Sequence, residues 1–259
     1  MAIDFDKETA LQDSYDLTGI CEDLDRKLAQ AQAASREWDT NQIWRKRQIF
    51  GIWRDYTAIY EDLKNHKYFE AWCLIEQVLI NNKFLIQNFP EDSNLTNFIV
   101  EHLMMLQTLF PYRVFTSTVL KIKKEVCTIC RSEISPWTDC GHIIGKVYNG
   151  KLCLKEVQDM EFLGADIVLD PEHKYSVLFA HDEYGNQIDN YDYSLIEDLM
   201  KCWKTTYQDW SVTREECYLS PTSDIKDTDP CPCLLSFESY SNCCKNRPGI
   251  LTYHYTINA

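Results

Sequence analysis

The second half of the chain carries two compact groups of cysteine and histidine, and these constrain its fold more than any other feature. The groups are Cys127, Cys130, Cys140 and His142, and Cys231, Cys233, Cys243 and Cys244. In each group, nine residues separate two close pairs. Thiolate and imidazole pairs at such spacings typically surround a zinc ion in proteins. Both segments are too short to bury a core of their own, so a bound metal would determine how they fold.

The first group combines a Cys127-x-x-Cys130 pair with a Cys140-Gly-His142 pair. Three cysteines and one histidine form a closed structural zinc site with no position for water. Cys153 follows eleven residues after His142, and two interpretations of it stay open. It either replaces His142 as the fourth ligand or packs beside the site.

The second group closes on four thiolates, Cys231-Pro-Cys233 and then Cys243-Cys244. Prolines at positions 230 and 232 stiffen the first pair. A redox switch that uses the vicinal pair is the alternative, but neighbouring cysteines form a strained disulfide. We therefore predict a second structural zinc ion.

The segment "DPCPCLLSFESYSNCC" resembles the SEC-C motif, the zinc-binding tail first described in the preprotein translocase ATPase SecA. That motif reads approximately Pro-Cys-Pro-Cys-Gly-Ser-Gly-x-x-Tyr-x-x-Cys-Cys/His. The matching positions are Pro230, Cys231, Pro232, Cys233, Ser236, Tyr240, Cys243 and Cys244. The resemblance implies zinc and contact with a protein partner. Since "LLSFES" stands where the family has glycines and lysines, the partner is expected to differ.

The central "CTIC…CGHIIGKVYNGKLC" segment is similar to cysteine/histidine knuckles of bacterial and phage-associated proteins. This similarity implies a prokaryotic accessory protein with a role in antiviral defence. The "CGHI" segment also resembles an HNH-like metal-dependent nuclease, which would centre on Cys127–Cys153. Such a nuclease needs a general-base histidine besides the ligands, and only His173 and His181 stand near in the sequence.

The composition of the chain disfavours nucleic acids and membranes as partners. The formal net charge of −14 disfavours broad binding to phosphate backbones. The chain has no apolar run long enough for a membrane span, and "MAIDFDKETA" lacks the basic and apolar regions of a signal peptide. These features predict a cytoplasmic protein, and in that compartment its twelve cysteines would not form a disulfide framework.

The pattern along the chain predicts an α+β fold. Residues 8 to 121 show helical spacing, with an apolar stripe at Ile49, Trp53, Tyr56, Tyr60 and Leu63. "RVFTSTVLKIKK" fits either a helix or a strand, and two short strands are predicted at Asp166–Leu169 and Tyr175–Ala180. We expect a helical domain (1–121), a zinc-knuckle α+β domain (122–219) and a SEC-C-like tail (220–259). The expected function is that of a non-enzymatic adaptor that binds other proteins.

Overall fold

The computed structural model describes residues 16–34, 36–138, 140–221, 225–233, 235 and 237–258. It confirms the α+β class, with helices in the N-terminal part and a cysteine cluster near the C-terminus. The "MAIDFDKETA" segment and the first residues of the predicted helical region lie outside this description.

Among the described residues, four helices occupy the N-terminal part. They are α1 (Leu17–Ala33), α2 (Glu37–Lys64), α3 (Tyr68–Asn88) and α4 (Ser93–Leu109). The predicted apolar stripe lies on α2, and all five of its side chains are buried. Since residues three and four apart share one face of a helix, this stripe becomes the surface on which the neighbouring helices pack.

A short 3-10 turn, Pro90–Asp92, joins α3 to α4 and is held by α2. Arg45 of α2 donates from Nε to one carboxylate oxygen of the buried Asp92 at 2.7 Å. Trp53 Nε1 donates to the carbonyl oxygen of Leu95 at 3.2 Å, at the start of α4. These contacts fix the entry of α4 against α2.

A strand follows the helices. The stretch that fitted either helix or strand belongs to β1 (Phe115–Cys127), whose β-branched residues favour extended backbone. Its hydrogen-bonded neighbours are β2 (Glu133–Ile134) and β5 (Lys155–Val168), in the order β2-β1-β5. Between them, β3 (Val147–Tyr148) and β4 (Lys151–Leu152) form a two-residue hairpin at Asn149 and Gly150. Both turn residues have positive φ, as a type I′ turn requires.

The remaining elements are β6 (Ala180–His181), β7 (Gln187–Ile188), α5 (Ser194–Cys202), β8 (Ser211–Leu219) and β9 (Ile250–Asn258). The strand predicted at Asp166–Leu169 is the end of the longer β5. The strand predicted at Tyr175–Ala180 is wrong, because this stretch makes only one isolated bridge before β6. Strands β8 and β9 pair antiparallel from Ser211↔Asn258 to Leu219↔Ile250, so the second cysteine group lies in the connection between them.

The chain divides into two compact units. The first contains Met1–Met104 and Thr118–Gly164, and therefore joins the first cysteine group to the helices. The second contains Met105–Ser117 and Ala165–Ala259. The division into three domains stays a prediction. Within the described ranges, every helix is too short or too polar to cross a bilayer.

Candidate metal centres

Each cysteine group converges on one point in space. The ligand atoms of Cys127, Cys130, Cys140 and His142 all lie within 4.8 Å of one another, and the same holds for Cys231, Cys233, Cys243 and Cys244. These cysteines are not joined in disulfide bonds. Both groups could therefore hold a metal ion, as their spacing predicted.

Tight turns position the first group, which we call the first centre. Cys127 ends β1, and its N–H donates to the carbonyl oxygen of Ser132 at 2.9 Å. The N–H of Arg131 donates back to the carbonyl oxygen of Cys127 at 2.9 Å, and Arg131 has a φ of 64°. Gly141 has a φ of 79°, which glycine adopts without strain. The two ligand pairs can thus approach each other closely.

Side chains of the helices hold the loop that follows the first centre. Asn88, the last residue of α3, donates to the carbonyl oxygen of Gly145 at 2.8 Å and accepts from the N–H of Val147 at 3.1 Å. The turn of the β3–β4 hairpin is held from α2, where Asn41 accepts the N–H of Gly150 at 2.7 Å. Thr40 donates to the side-chain oxygen of Asn149 at 2.9 Å. We call this set of contacts the helix clamp.

The sequence analysis missed the helix clamp. Asparagine and threonine at helix ends are ordinarily explained by capping, and no spacing relates them to a hairpin about 60 to 110 residues further on. The Asn149–Gly150 pair was the one sequence signal for these contacts. It predicts a type I′ turn, and the turn type determines which backbone N–H and C=O groups of the hairpin can bond to other side chains.

His142 and Cys153 both lie at the first centre. The Nδ1 atom of His142 is buried without a hydrogen-bond partner, while its ring packs edge-on against Tyr148 with 4.9 Å between the ring centroids. Cys153 is fully buried, and its sulfur lies 3.8 Å from the sulfur of Cys127. Buried polar atoms in proteins normally have a hydrogen-bond partner. An unpaired imidazole nitrogen beside three thiols therefore indicates a place where a metal ion could bind.

The thiols of the first centre differ in acidity. Burial acts to raise the pKa of Cys127, but hydrogen bonds from the backbone N–H groups of Cys130 and Ile129 outweigh it and lower the pKa to about 7. Burial, reinforced by the neighbouring Cys127, raises the pKa of Cys153 to about 11. One thiolate thus forms near neutral pH, and its negative charge opposes ionisation of the neighbouring thiols. A bound cation would compensate that charge and allow several thiols to ionise.

The second group, which we call the second centre, lies at the open end of the β8–β9 pair. Cys231 and Cys244 are buried in a small cluster with Ile250 and Leu251 at the start of β9. The sulfurs of Cys233 and Cys243 lie 3.5 Å apart. The second centre therefore lies at the end of the β8–β9 pair and shares part of a small apolar cluster with the start of β9.

Hydrogen bonds of the backbone bring the two cysteine pairs together. The N–H of Cys231 donates to the carbonyl oxygen of Glu238 at 3.0 Å, and the N–H of Cys243 donates to that of Tyr240 at 3.2 Å. Tyr240 packs on the buried cluster. At the base of the loop, a Cβ on Gly249 would lie 2.3 Å from the carbonyl oxygen of Leu219, so only glycine allows this approach.

The acidity of the second centre follows the same pattern as that of the first. Burial opposes ionisation of Cys231, yet the backbone N–H of Cys233 and the adjacent thiols lower its pKa to about 7. Burial raises the pKa of Cys233 to about 12, and the neighbouring thiols add to this effect. Four thiols that cannot all ionise by themselves form a donor set that suits a divalent ion with an affinity for sulfur.

The spacing of the sulfurs fits zinc. With Zn–S bonds of about 2.3 Å, the sulfurs of a tetrahedral site lie about 3.8 Å apart. The Cys233–Cys243 and Cys243–Cys244 sulfur distances are 3.5 and 3.8 Å. At the first centre, the ligand atoms of the four grouped residues lie within 4.8 Å of one another. The donors that are present would accept a zinc ion with little rearrangement.

Comparison with models of known protein families, with curated proteins and with solved structures gave no match. The SEC-C resemblance therefore rests on the residues of the motif alone. What the two centres do has to be argued from their own geometry.

Proposed function

We propose that the protein is a non-catalytic zinc protein that acts by binding another protein. The observation that carries this proposal is that each centre gathers four soft ligands within 4.8 Å. Four such donors saturate a tetrahedral zinc ion, and a saturated ion stabilises the fold without activating water. Zinc would be held by Cys127, Cys130, Cys140 and His142 at one centre, and by Cys231, Cys233, Cys243 and Cys244 at the other.

Binding to a protein is supported by the part of the β1–β5 pair that lies next to the first centre. From Thr118 to Lys124, and again from Val157 to Leu163, every residue is exposed. A two-stranded ribbon is barely stable in water unless another surface covers it. Side chains alternate between the faces of a strand. One face of the ribbon, which we call the apolar face, therefore carries Leu120, Ile122, Met160 and Phe162.

The charges of the ribbon suit an apolar protein surface better than a nucleic acid. On the opposite face, Lys123 pairs with Glu161 at 3.2 Å, and Lys155 pairs with Glu125 at 3.2 Å. On the apolar face itself, Lys124 pairs with Glu133 at 3.8 Å. Phe162 and Met160 stay 66% and 57% exposed. Contiguous exposed apolar side chains beside satisfied charges are typical of protein interaction sites.

The metal content of the purified chain tests the proposal. We expect two zinc ions per chain by elemental analysis of protein prepared without added metal. The Cys231→Ser variant should lose one of the two, since it removes a buried ligand of the second centre. A natively folded wild-type chain without bound zinc would contradict the proposal.

A metal-dependent nuclease centred on Cys127–Cys153 is the alternative that the sequence left open. It requires an open coordination position and a histidine base besides His142. Incubation of the zinc-loaded and Mg²⁺-supplemented protein with plasmid DNA separates the two functions, with His142→Ala as the control variant. Cleavage that depends on His142 would replace our proposal. Cytoplasmic location and a role in antiviral defence stay predictions from the sequence.

A further inference from the structure

A fifth sulfur- or nitrogen-bearing side chain lies beside the four grouped residues of the first centre. Besides its four grouped ligands, the fully buried Cys153 presents its sulfur 3.8 Å from that of Cys127. This distance equals the sulfur separation of about 3.8 Å in a tetrahedral zinc site. A buried cysteine is commonly no more than a small apolar side chain. This one faces another sulfur.

The backbone on both sides of Cys153 is fixed to the turn that carries the first ligand pair. The hydroxyl of Thr128, next to Cys127, donates to the carbonyl oxygen of Leu152 at 3.1 Å. The N–H of Leu154 donates to that hydroxyl at 2.8 Å, and the N–H of Thr128 donates to the carbonyl oxygen of Leu154 at 3.0 Å. Three hydrogen bonds made by its chain neighbours Leu152 and Leu154 therefore hold Cys153 beside Cys127.

The same residue is also tied to the loop that carries His142. The N–H of Cys153 donates to the carbonyl oxygen of Lys146 at 2.8 Å, and the N–H of Gly145 donates to that of Cys153 at 2.7 Å. Asn88 fixes this loop in turn, through Gly145 and Val147. Cys153 and His142 thus approach the centre from neighbouring strands of backbone that are hydrogen-bonded to each other.

We propose that Cys153 is a fifth donor of the first centre and takes the fourth coordination position on zinc when His142 leaves it. This inference rests on the proposed function, since it assumes that the centre holds zinc. With His142 bound, the ion has three thiolates and one imidazole, and with Cys153 bound it has four thiolates. Both sets are known types of closed zinc site.

Metal content of the full-length chain tests the exchange. The wild-type chain, His142→Ala and Cys153→Ser should each retain two zinc ions, because either donor completes the first centre. The double variant His142→Ala/Cys153→Ser should retain one ion, at the second centre. Cys130→Ser/Cys140→Ser is the matched control, and it should also retain one ion, since it leaves three donors at the first centre, one fewer than a closed site needs.

Cobalt substitution supplies a second readout that does not depend on affinity. In the Co²⁺-loaded protein, thiolate-to-metal charge-transfer absorption increases with the number of bound thiolates. His142→Ala should therefore absorb more strongly in this band than Cys153→Ser, by one thiolate per chain. Circular dichroism verifies that each variant is folded.

The outcomes separate this inference from the proposed function. If the wild type holds two zinc ions and His142→Ala holds one, Cys153 is not a donor, while the proposed function stands. Equal cobalt absorption in His142→Ala and Cys153→Ser would also overturn the exchange. If the folded wild type holds no zinc, the proposed function itself fails.

Discussion

At the scale of single residues, one glycine allows the hairpin beside the first centre to pack against the helices. Gly150 has a φ of 68°, in the left-handed region. A Cβ at this position would lie 2.6 Å from a methyl carbon of Leu28 and 3.2 Å from the backbone oxygen of Thr40. The hairpin can dock on α1 and α2 only because this residue has no side chain.

We expect Gly150→Ala to reduce the free energy of unfolding by about 2–4 kcal/mol, since left-handed strain adds to overpacking. Urea unfolding followed by circular dichroism measures the loss. Gly185→Ala is the matched control, because Gly185 has a φ of 84° and a Cβ added there would meet no atom of the described residues within 4 Å. Its cost should be about 1–2 kcal/mol, from strain alone. Equal losses in the two variants would show that the hairpin does not dock closely on the helices.

At the scale of secondary-structure elements, the ribbon of β1 and β5 is exposed along most of its length, although a two-stranded ribbon is barely stable by itself in water. One face carries ion pairs together with Val157 and Leu163, and the other carries Leu120 and Phe162 among its apolar side chains. An ion pair at the surface contributes little to stability. Neither face therefore explains by itself why the strands stay extended in water, and a partner that covers the apolar face would.

We expect the double variant Met160→Ser/Phe162→Ser to lose binding of the partner protein while its urea midpoint stays close to that of the wild type. Replacing exposed side chains removes little buried area, so the change in stability should stay within about 0.5 kcal/mol. The matched control is Lys123→Ser/Glu161→Ser, which removes one ion pair from the opposite face.

Chemical cross-linking in cells that produce the protein, followed by mass spectrometry, compares the three chains. A cross-linked partner should be recovered with the wild type and the control variant, and lost with the variant of the apolar face. Recovery of the same partner with all three chains would show that the apolar face is not the binding site.

At the scale of the whole molecule, the two centres lie in different structural surroundings. The first centre lies in the compact unit that contains the buried residues of α2 and α3, and the helix clamp adds direct contacts. The second centre is backed only by the cluster of Cys231, Cys244, Ile250 and Leu251 and its partly buried neighbours among the described residues. Removal of metal should therefore affect the loop between β8 and β9 more than the helices.

We expect chelation to accelerate tryptic cleavage after Lys226 and Lys245, both of which lie in this loop, at least about tenfold. A tenfold change corresponds to about 1.4 kcal/mol, which is small beside the apparent binding free energy of about 10–16 kcal/mol for structural zinc. Cleavage after Lys64, at the end of α2, serves as the internal control and should change little. The helical signal in circular dichroism should largely persist.

Mass spectrometry of the tryptic peptides follows both regions in one experiment. If a chelator strips the protein of zinc and the loop stays resistant to trypsin, the metal does not stabilise it. If helicity is lost in parallel with the metal, the first centre is required for folding of the helices as well.

The sequence by itself predicted the two cysteine groups, the α+β class, the buried stripe of α2 and the turn at Asn149–Gly150. Each of these depends on residues close together in the chain, where spacing fixes geometry. Only the tertiary structure decided that Asn88 and Asn41 hold the first centre, that Cys153 lies beside Cys127, and that β9 pairs with β8 across the second centre. Such contacts join distant segments, and their closure depends on the packing of the whole unit, which no local spacing encodes.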